Sequence, residues 1–237
     1  AALKFDISNF VLVSSDKAVR STNIMGATKR LAEICVQSLY DYQNQKSRFA
    51  IVRFGNVLES SGSVIPKFKQ QIKQGGPLTL THPDVTRYFM TITEASQLVI
   101  QAGAMAEKCE VFVLDMGKSV KIKNLIVKMI KLSGLSIKDE KNLDGDIEIK
   151  ITGLRPGEKL YEELLLGDNP QKTFHEKIQK AQDPFISFNK LKMDLDHLSN
   201  LIEDNKVEDV KNALSNLVPS YQSNSKIVDH FYEQQSN

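Results

Sequence analysis

The chain has 237 residues, 41% hydrophobic and 25% charged, with 31 Lys and Arg against 29 Asp and Glu. This is the composition of a folded globular protein, long enough for one substantial core or two small ones, and it excludes general disorder. The net charge of +2, with both signs interspersed, argues against a nucleic-acid or anionic-membrane surface, so an acidic ligand must be held by a few placed residues.

Cys35 and Cys109 lie far apart without a C-x-x-C spacing, and Cys35 falls on the apolar side of a helix. They read as reduced thiols, and the cytoplasm is the expected compartment. No apolar run reaches the ~20 residues of a membrane helix and no signal peptide precedes the first strand, so a soluble chain without membrane contact is expected. His82, His175, His197 and His230 have no spacing that suits a metal or a catalytic triad.

Residues 1–5 lack an initiator methionine and read as the tail of a helix, which predicts that the chain begins inside a domain. Residues 10–13 (FVLV) are a short apolar run that suits a strand covered on both faces. Ser14, Ser15, Asp16 and Lys17 follow at its carboxyl end, where open α/β sheets bind ligands. Ser21, Thr22 and Asn23 offer caps for a helix whose apolar positions run from Ile24 to Leu39. Met25 and Lys29, four apart, share one face of it.

A second buried strand at 49–54 completes a strand, helix, strand unit of a parallel sheet, ended by Gly55 and Asn56. A small-residue loop at 60–63 leads into a helix over about 65–74. Short strands are predicted at 78–80 and 88–90, and Thr91 with Glu94 can cap a helix running to about 104. A third parallel strand falls at 111–114 and a helix at 124–132. Residues 147–152 alternate apolar and polar, as an edge strand with one wet face would. Beyond residue 167 the chain is richer in Asn, Gln, Lys and Asp, with helical patterns near 191–202 and 207–217.

Four ordered blocks carry a resemblance. They are strand-Ser-Ser-Asp-Lys with Met-x-x-x-Lys beginning eight positions after Lys17, RFGNVLESSGSVIPKF (53–68), HPDVTRYFMTITEA (82–95) and GLRPGEKLYEELL (153–165). Together they resemble the extended short-chain dehydrogenase/reductases. The likeness is greatest to the bacterial UDP-N-acetylglucosamine 4,6-dehydratases of capsule and O-antigen biosynthesis, in particular the large membrane-anchored kind. That group shares methionine in place of the usual tyrosine of Tyr-x-x-x-Lys.

The resemblance implies an α/β fold, a partial Rossmann-like parallel sheet with helices on both faces, a smaller α+β substrate-binding region and a helical C-terminal extension. The expected division is 1–76 for the Rossmann-like part, 77–167 for the substrate-binding region interleaved with the strand near 110–115, and 168–237 for the extension. No G-x-G-x-x-G turn occurs in the sequence, so the pyrophosphate-binding half of the dinucleotide site is expected to precede this chain.

The same resemblance assigns roles. Lys29 would hold the nicotinamide ribose of NAD or NADP, with Ser14, Phe54 and Gly55 beside the cofactor. Asp16 would protonate the departing C6 oxygen of the sugar and Lys17 would take the C5 proton. This requires Asp16 protonated and Lys17 neutral, forms that burial favours. Met25 can neither give nor take a proton, so the base for the C4 hydroxyl is left open among Ser15, Asp16 and a water relayed to Lys29. Asn56, Arg87 and Arg155 would bind the diphosphate, Glu158 the neighbouring ribose, and Ser63, Val64, Lys67 and Thr79 would line the sugar and uracil pockets.

Without the resemblance, Asp16 and Lys17 are a surface ion pair, Met25 is a packing residue and each arginine an ion-pair partner. The implied activity is conversion of UDP-N-acetylglucosamine to its 4-keto-6-deoxy product in a homo-oligomer, at the cytoplasmic face of the inner membrane if the full-length protein is anchored. A UDP-N-acetylhexosamine 4-epimerase is the neighbouring alternative, and a catalytically silent nucleotide-sugar-binding piece is the alternative of a different class.

Overall fold

The computed structural model describes residues 2–5, 7–43, 47–60, 62–167 and 170–223. In chain order the strands are β1 (Asn9–Val13), β2 (Arg48–Arg53), β3 (Asn56–Val57), β4 (Leu78–Leu80), β5 (Thr86–Arg87), β6 (Phe89–Met90), β7 (Cys109–Leu114), β8 (Val120–Lys121), β9 (Ile137–Lys138), β10 (Ile147–Ile151), β11 (Gln171–Lys172) and β12 (Ile178–Ala181). The helices are α1 (Ile24–Gln43), α2 (Val64–Lys73), α3 (Ile92–Met105), α4 (Ile122–Leu132), α5 (Phe188–Glu203) and α6 (Val207–Leu217). Two compact units result. The first comprises Ala1–Phe54, Gln97–Asp115 and Glu163–Asn237, the second Gly55–Ser96 and Met116–Glu162.

The first unit is built on a five-stranded sheet of order β1-β2-β7-β12-β11. β1, β2 and β7 are parallel, with α1 as the crossover from β1 to β2, and β12 and β11 continue the sheet antiparallel. Strand alternation puts Phe10 and Val11 on opposite faces. Phe10 and Tyr40 of α1 both meet the Phe49 ring, at 5.0 and 5.5 Å between centroids, while the Val11 side chain lies against Gly103 of α3. Helices therefore cover both faces, and the fold is the Rossmann-like α/β class expected.

β1 has helices over both faces, as expected, but it is an edge of this sheet, so Phe10–Leu12 are only half-buried and Val13 is exposed. The extension also contributes more than helix. Before α5, residues 171–181 supply β11 and β12, and α5 and α6 then pack Leu191, Leu198, Leu214 and Leu217 against Ala27, Leu31 and Ile34 of α1. The last part of the extension, 224–237, lies outside the described residues.

The second unit holds a parallel sheet of order β4-β10-β9 and two short pairs, β3 with β6 and β5 with β8. Phe68 of α2 shares its core with Leu78, Leu80 and Ile147 of the sheet and Ile126 and Ile130 of α4. That shared core groups α2 with the strands after residue 77, and the unit begins at Gly55, not after residue 76. β10, expected at an edge, is the middle strand. Its alternation reports one wet face, which a central strand of a one-sided sheet also has. No helix among the described residues is long and apolar enough to cross a membrane.

Candidate active site

The backbone at the carboxyl end of β1 is fixed by an extension of the β1–β2 ladder. Ser14 N–H donates to the Val52 carbonyl at 2.8 Å and Asp16 N–H to the Phe54 carbonyl at 3.1 Å. The chain then closes a 3-10 turn over Asp16–Ala18, with the Ser15 hydroxyl accepting from Lys17 N–H. Helix α1 starts five residues after Val19, whose N–H closes this turn on the Asp16 carbonyl, and it is capped by Asn23, whose Oδ1 accepts Gly26 N–H at 2.8 Å.

Gly26 sets how close the loop and helix can come. A Cβ there would stand 2.3 Å from the Lys17 carbonyl oxygen and 2.8 Å from Ser21 Cβ, so only glycine lets the loop rest on the first turn of α1. Met25 is its neighbour and Lys29 lies one turn on. Both are exposed, and the Lys29 ammonium makes no hydrogen bond or ion pair among the described residues.

Asp16 is fully buried. Its Oδ1 accepts from the Ser15 hydroxyl at 2.8 Å and from Lys17 Nζ at 2.9 Å, while Oδ2 is buried without a hydrogen bond among the described residues. The Lys17 side chain is 31% exposed. An acid and an amine are thus in direct contact at a sheet's carboxyl end, one sequestered and one open to a ligand. The pairing read as a surface ion pair is buried on its acidic side.

Beneath this loop lies a cluster that sequence reasoning did not find. The buried Ser14 hydroxyl donates to Glu33 Oε1 at 2.6 Å. Arg53 Nε and Nη2 reach the two oxygens of the same carboxylate at 2.8 and 2.5 Å, and Arg30 Nη1 reaches Oε2 at 2.9 Å. Arg53 also pairs with Asp183 of the segment after β12, and Arg30 donates to the Pro184 carbonyl at 2.7 Å. Burial pushes the Glu33 carboxyl up, but the Arg53 hydrogen bonds and charge, Arg30 and the Ser14 hydroxyl outweigh it and hold it below the usual carboxylate range. Burial pulls Arg53 down, and Glu33 and Asp183 more than restore it. An arginine inside the apolar strand RFAIVRF was the available signal, because a buried guanidinium requires carboxylate partners.

In the second unit, Arg87 and Glu158 come together. Arg87 Nη2 donates to Glu158 Oε1 at 3.1 Å, and its Nε lies 3.6 Å from Glu162 Oε1. Glu158 also accepts from the Thr81 hydroxyl at 3.1 Å and from Arg155 N–H at 3.2 Å, which ties the 155–158 turn to β4 and β5. The Arg155 side chain is exposed. Asn56 N–H donates to the Tyr88 carbonyl, aligning β3 with β6. Ser63, Val64 and Lys67 occupy the first turns of α2, with Ser63 at its N-cap, and Thr79 of β4 is bonded through its hydroxyl and N–H to Gln71 of the same helix. Gly55 N–H points at Met116 Sδ at 3.4 Å.

The arrangement joins Ser14 to Lys17 with the Met25–Lys29 helix in one unit, and Arg87, Arg155 and Glu158 in the other. Arg87 is already compensated by two carboxylates, Glu158 and Glu162. Ser14 gives its hydroxyl proton to Glu33.

Comparison with known proteins places the chain in a family. The chain is 55% identical over 188 residues to the capsular polysaccharide biosynthesis protein CapD of Staphylococcus aureus, a match covering 78% of this chain and 30% of that protein. It is 57% identical over 156 residues to the probable polysaccharide biosynthesis protein EpsC of Bacillus subtilis, covering 66% and 25%. Among solved structures, Pen from Bacillus thuringiensis is similar with a TM-score of 0.60 and 38% identity, over 69% of this chain and 49% of that one. The chain thus spans half or less of each of these three proteins. Residues 1–183 match the family described as polysaccharide biosynthesis protein, and with well over half of its length in that match the chain belongs to this family.

Proposed function

We propose that the full-length protein is a nucleotide-sugar 4,6-dehydratase that converts UDP-N-acetylglucosamine to a UDP-4-keto-6-deoxy-N-acetylhexosamine for polysaccharide assembly, in the cytoplasm or at the cytoplasmic face of a membrane. The observation that carries the reading is the buried Asp16 in contact with the partly exposed Lys17 at the end of β1. A dehydration across C5 and C6 needs one group to take a proton and another to give one, and a C4 epimerisation needs no acid at C6.

The residues fit one end of a dinucleotide. Lys29, exposed and unpartnered among the described residues, would hold the nicotinamide ribose, with Phe54 and Gly55 at the adjacent strand end. Bound NAD(P) supplies the acceptor for hydride from C4 and its return to C6. Lys17, in its neutral form, takes the C5 proton that the C4 ketone has acidified. Asp16, in its protonated form, delivers a proton to the C6 oxygen, which leaves as water. When hydride returns to C6, the Lys17 ammonium gives a proton back to C5, and the proton lost from the C4 hydroxyl, passed through Ser15 or a water relayed to Lys29, restores the Asp16 acid, so the pair ends in its starting state. In the second unit, Arg155 and Arg87 would bind the diphosphate by guanidinium forks, with Glu158 at the ribose. Asn56, Ser63, Val64, Lys67 and Thr79 would complete that pocket, and the enzyme would work as a homo-oligomer.

The test is incubation of the full-length protein with UDP-N-acetylglucosamine in deuterated water, followed by mass and NMR spectra of the product. A sugar lighter by one water, with a C4 ketone and solvent deuterium at C5, is expected. UDP-N-acetylgalactosamine without loss of water would overturn the reading in favour of an epimerase.

A further inference from the structure

We propose that Glu33 is a positioning residue for the Ser14–Lys17 loop, holding it through the Ser14 hydroxyl, and that Asp183 of the C-terminal extension completes this device. The inference deepens the function proposed above and rests on it for its kinetic arm only.

Ser14 is the last buried residue before the reactive pair, and its hydroxyl makes a 2.6 Å bond to Glu33 Oε1. Glu33 is fully buried one turn beyond Lys29 on α1, so one carboxylate anchors the loop to the helix that carries Met25 and Lys29. A lone buried carboxylate is free to reorient. This one is not, because Arg53 from β2 grips both oxygens and Arg30 grips Oε2.

The charges need a fourth member. Two guanidinium groups face Glu33, and Asp183 supplies the second negative charge, pairing with Arg53 and standing 3.6 Å from Arg30. Its side chain is 2% exposed, so the pairing is nearly as desolvated as that of Glu33. Asp183 is brought there by β12, whose pairing with β7 runs from Ile178 to Ala181. The extension is thereby wired to the reactive loop through three side chains, Asp183 to Arg53 to Glu33, and then to Ser14. A purely structural ion cluster has no need of Ser14. That hydroxyl is the link that makes the cluster an instrument of the loop.

The experiment compares the full-length wild type with Ser14→Ala and with Ser14→Thr, which keeps the hydroxyl. Backbone amide hydrogen exchange is read at Asp16, bonded to the Phe54 carbonyl just past β2, and at Ala18 and Val19, bonded within the loop. The amides of β4 and β10 serve as the internal control. Ser14→Ala is expected to exchange roughly tenfold faster at the loop amides with the control unchanged, and Ser14→Thr to exchange as wild type does.

With substrate, kcat of Ser14→Ala is expected to fall roughly tenfold to hundredfold while KM and the NAD(P) dissociation constant stay within about twofold, because geometry and not binding is lost. Unchanged loop exchange in Ser14→Ala would overturn the proposal, as would a loosened loop with unchanged kcat. A raised NAD(P) dissociation constant with an unchanged loop would likewise overturn it, since Ser14 would then be touching cofactor directly. The exchange arm needs no substrate. A loosened loop in a protein whose wild type forms no 4-keto product would support the positioning device and count only against the reaction assigned above.

Discussion

Two arginines, one in each unit, meet two carboxylates apiece and differ in what surrounds them. Arg53 is fully buried between Glu33 and Asp183, whose side chains are 0 and 2% exposed. Arg87 keeps 11% of its side-chain surface and its partner Glu158 keeps 20%. Removing water raises the strength of a pair and the penalty for breaking it together. The first cluster is therefore locked and suits fixing a loop. The second is less sealed on its Glu158 side, while its other partner, Glu162, is 6% exposed, and the phosphate role proposed for Arg87 would use the open side. The same residue types do different work because burial differs.

This contrast can be broken or sharpened by experiment. Arg53→Met leaves two buried carboxylates without their main partner and is expected to lower the unfolding free energy by about 3–5 kcal/mol, read by chemical denaturation. Asp183→Asn keeps the shape and removes one charge-assisted partner, with an expected loss of about 1.5–3 kcal/mol. Arg87→Met is expected to lose only about 1 kcal/mol of stability while weakening UDP binding at least tenfold by calorimetry. Equal destabilisation by Arg53→Met and Arg87→Met would remove the distinction.

Acid should reach the locked cluster in a defined direction. The folded Glu33 carboxyl lies below its ordinary value of 4.5, so its contribution is complete above that value and is lost as pH falls from there through the folded value. The melting temperature is expected to drop over that window, and to drop less in Glu33→Gln. The smallest effect concerns the thiols of the same unit. Burial, and then the neighbouring Glu110 charge, push the Cys109 thiol up to about 12, and burial raises Cys35 as well. Both should react slowly with iodoacetamide near neutral pH and rapidly once the protein is unfolded.

The parts of the fold written as periodic patterns were legible in the sequence. The apolar run at 10–13, the helical spacing from Ile24 to Leu39 and the run at 49–54 predicted β1, α1 and β2 in parallel order, and Asn23 was among the predicted caps. What pattern could not show was which elements share a core. Phe68 looked like part of the first region because its helix follows β2 closely, yet its partners Leu78 and Ile126 come later in the chain.

Asp16 and Lys17 stood out as adjacent acid and base at a strand end. Gly26 did not, since its role is a 2.3 Å approach to a carbonyl that no composition reveals. The charged cluster was scattered over residues 14, 30, 33, 53 and 183, and only the parallel pairing of β1, β2 and β7 with β12 alongside gathers it. Long-range electrostatics are invisible to local pattern for that reason.

In the proposed reaction Asp16 acts at the C6 oxygen, while Ser15 or a water relayed to Lys29 takes the C4 hydroxyl proton. Asp16→Asn in the full-length protein, supplied with UDP-N-acetylglucosamine deuterated at C4, separates the steps. The account predicts that formation of the 4-keto-6-deoxy product falls by about 10² to 10⁴ while deuterium transfer out of C4 into NAD(P) continues. Equal loss of both, or an undiminished rate of water elimination, would contradict it.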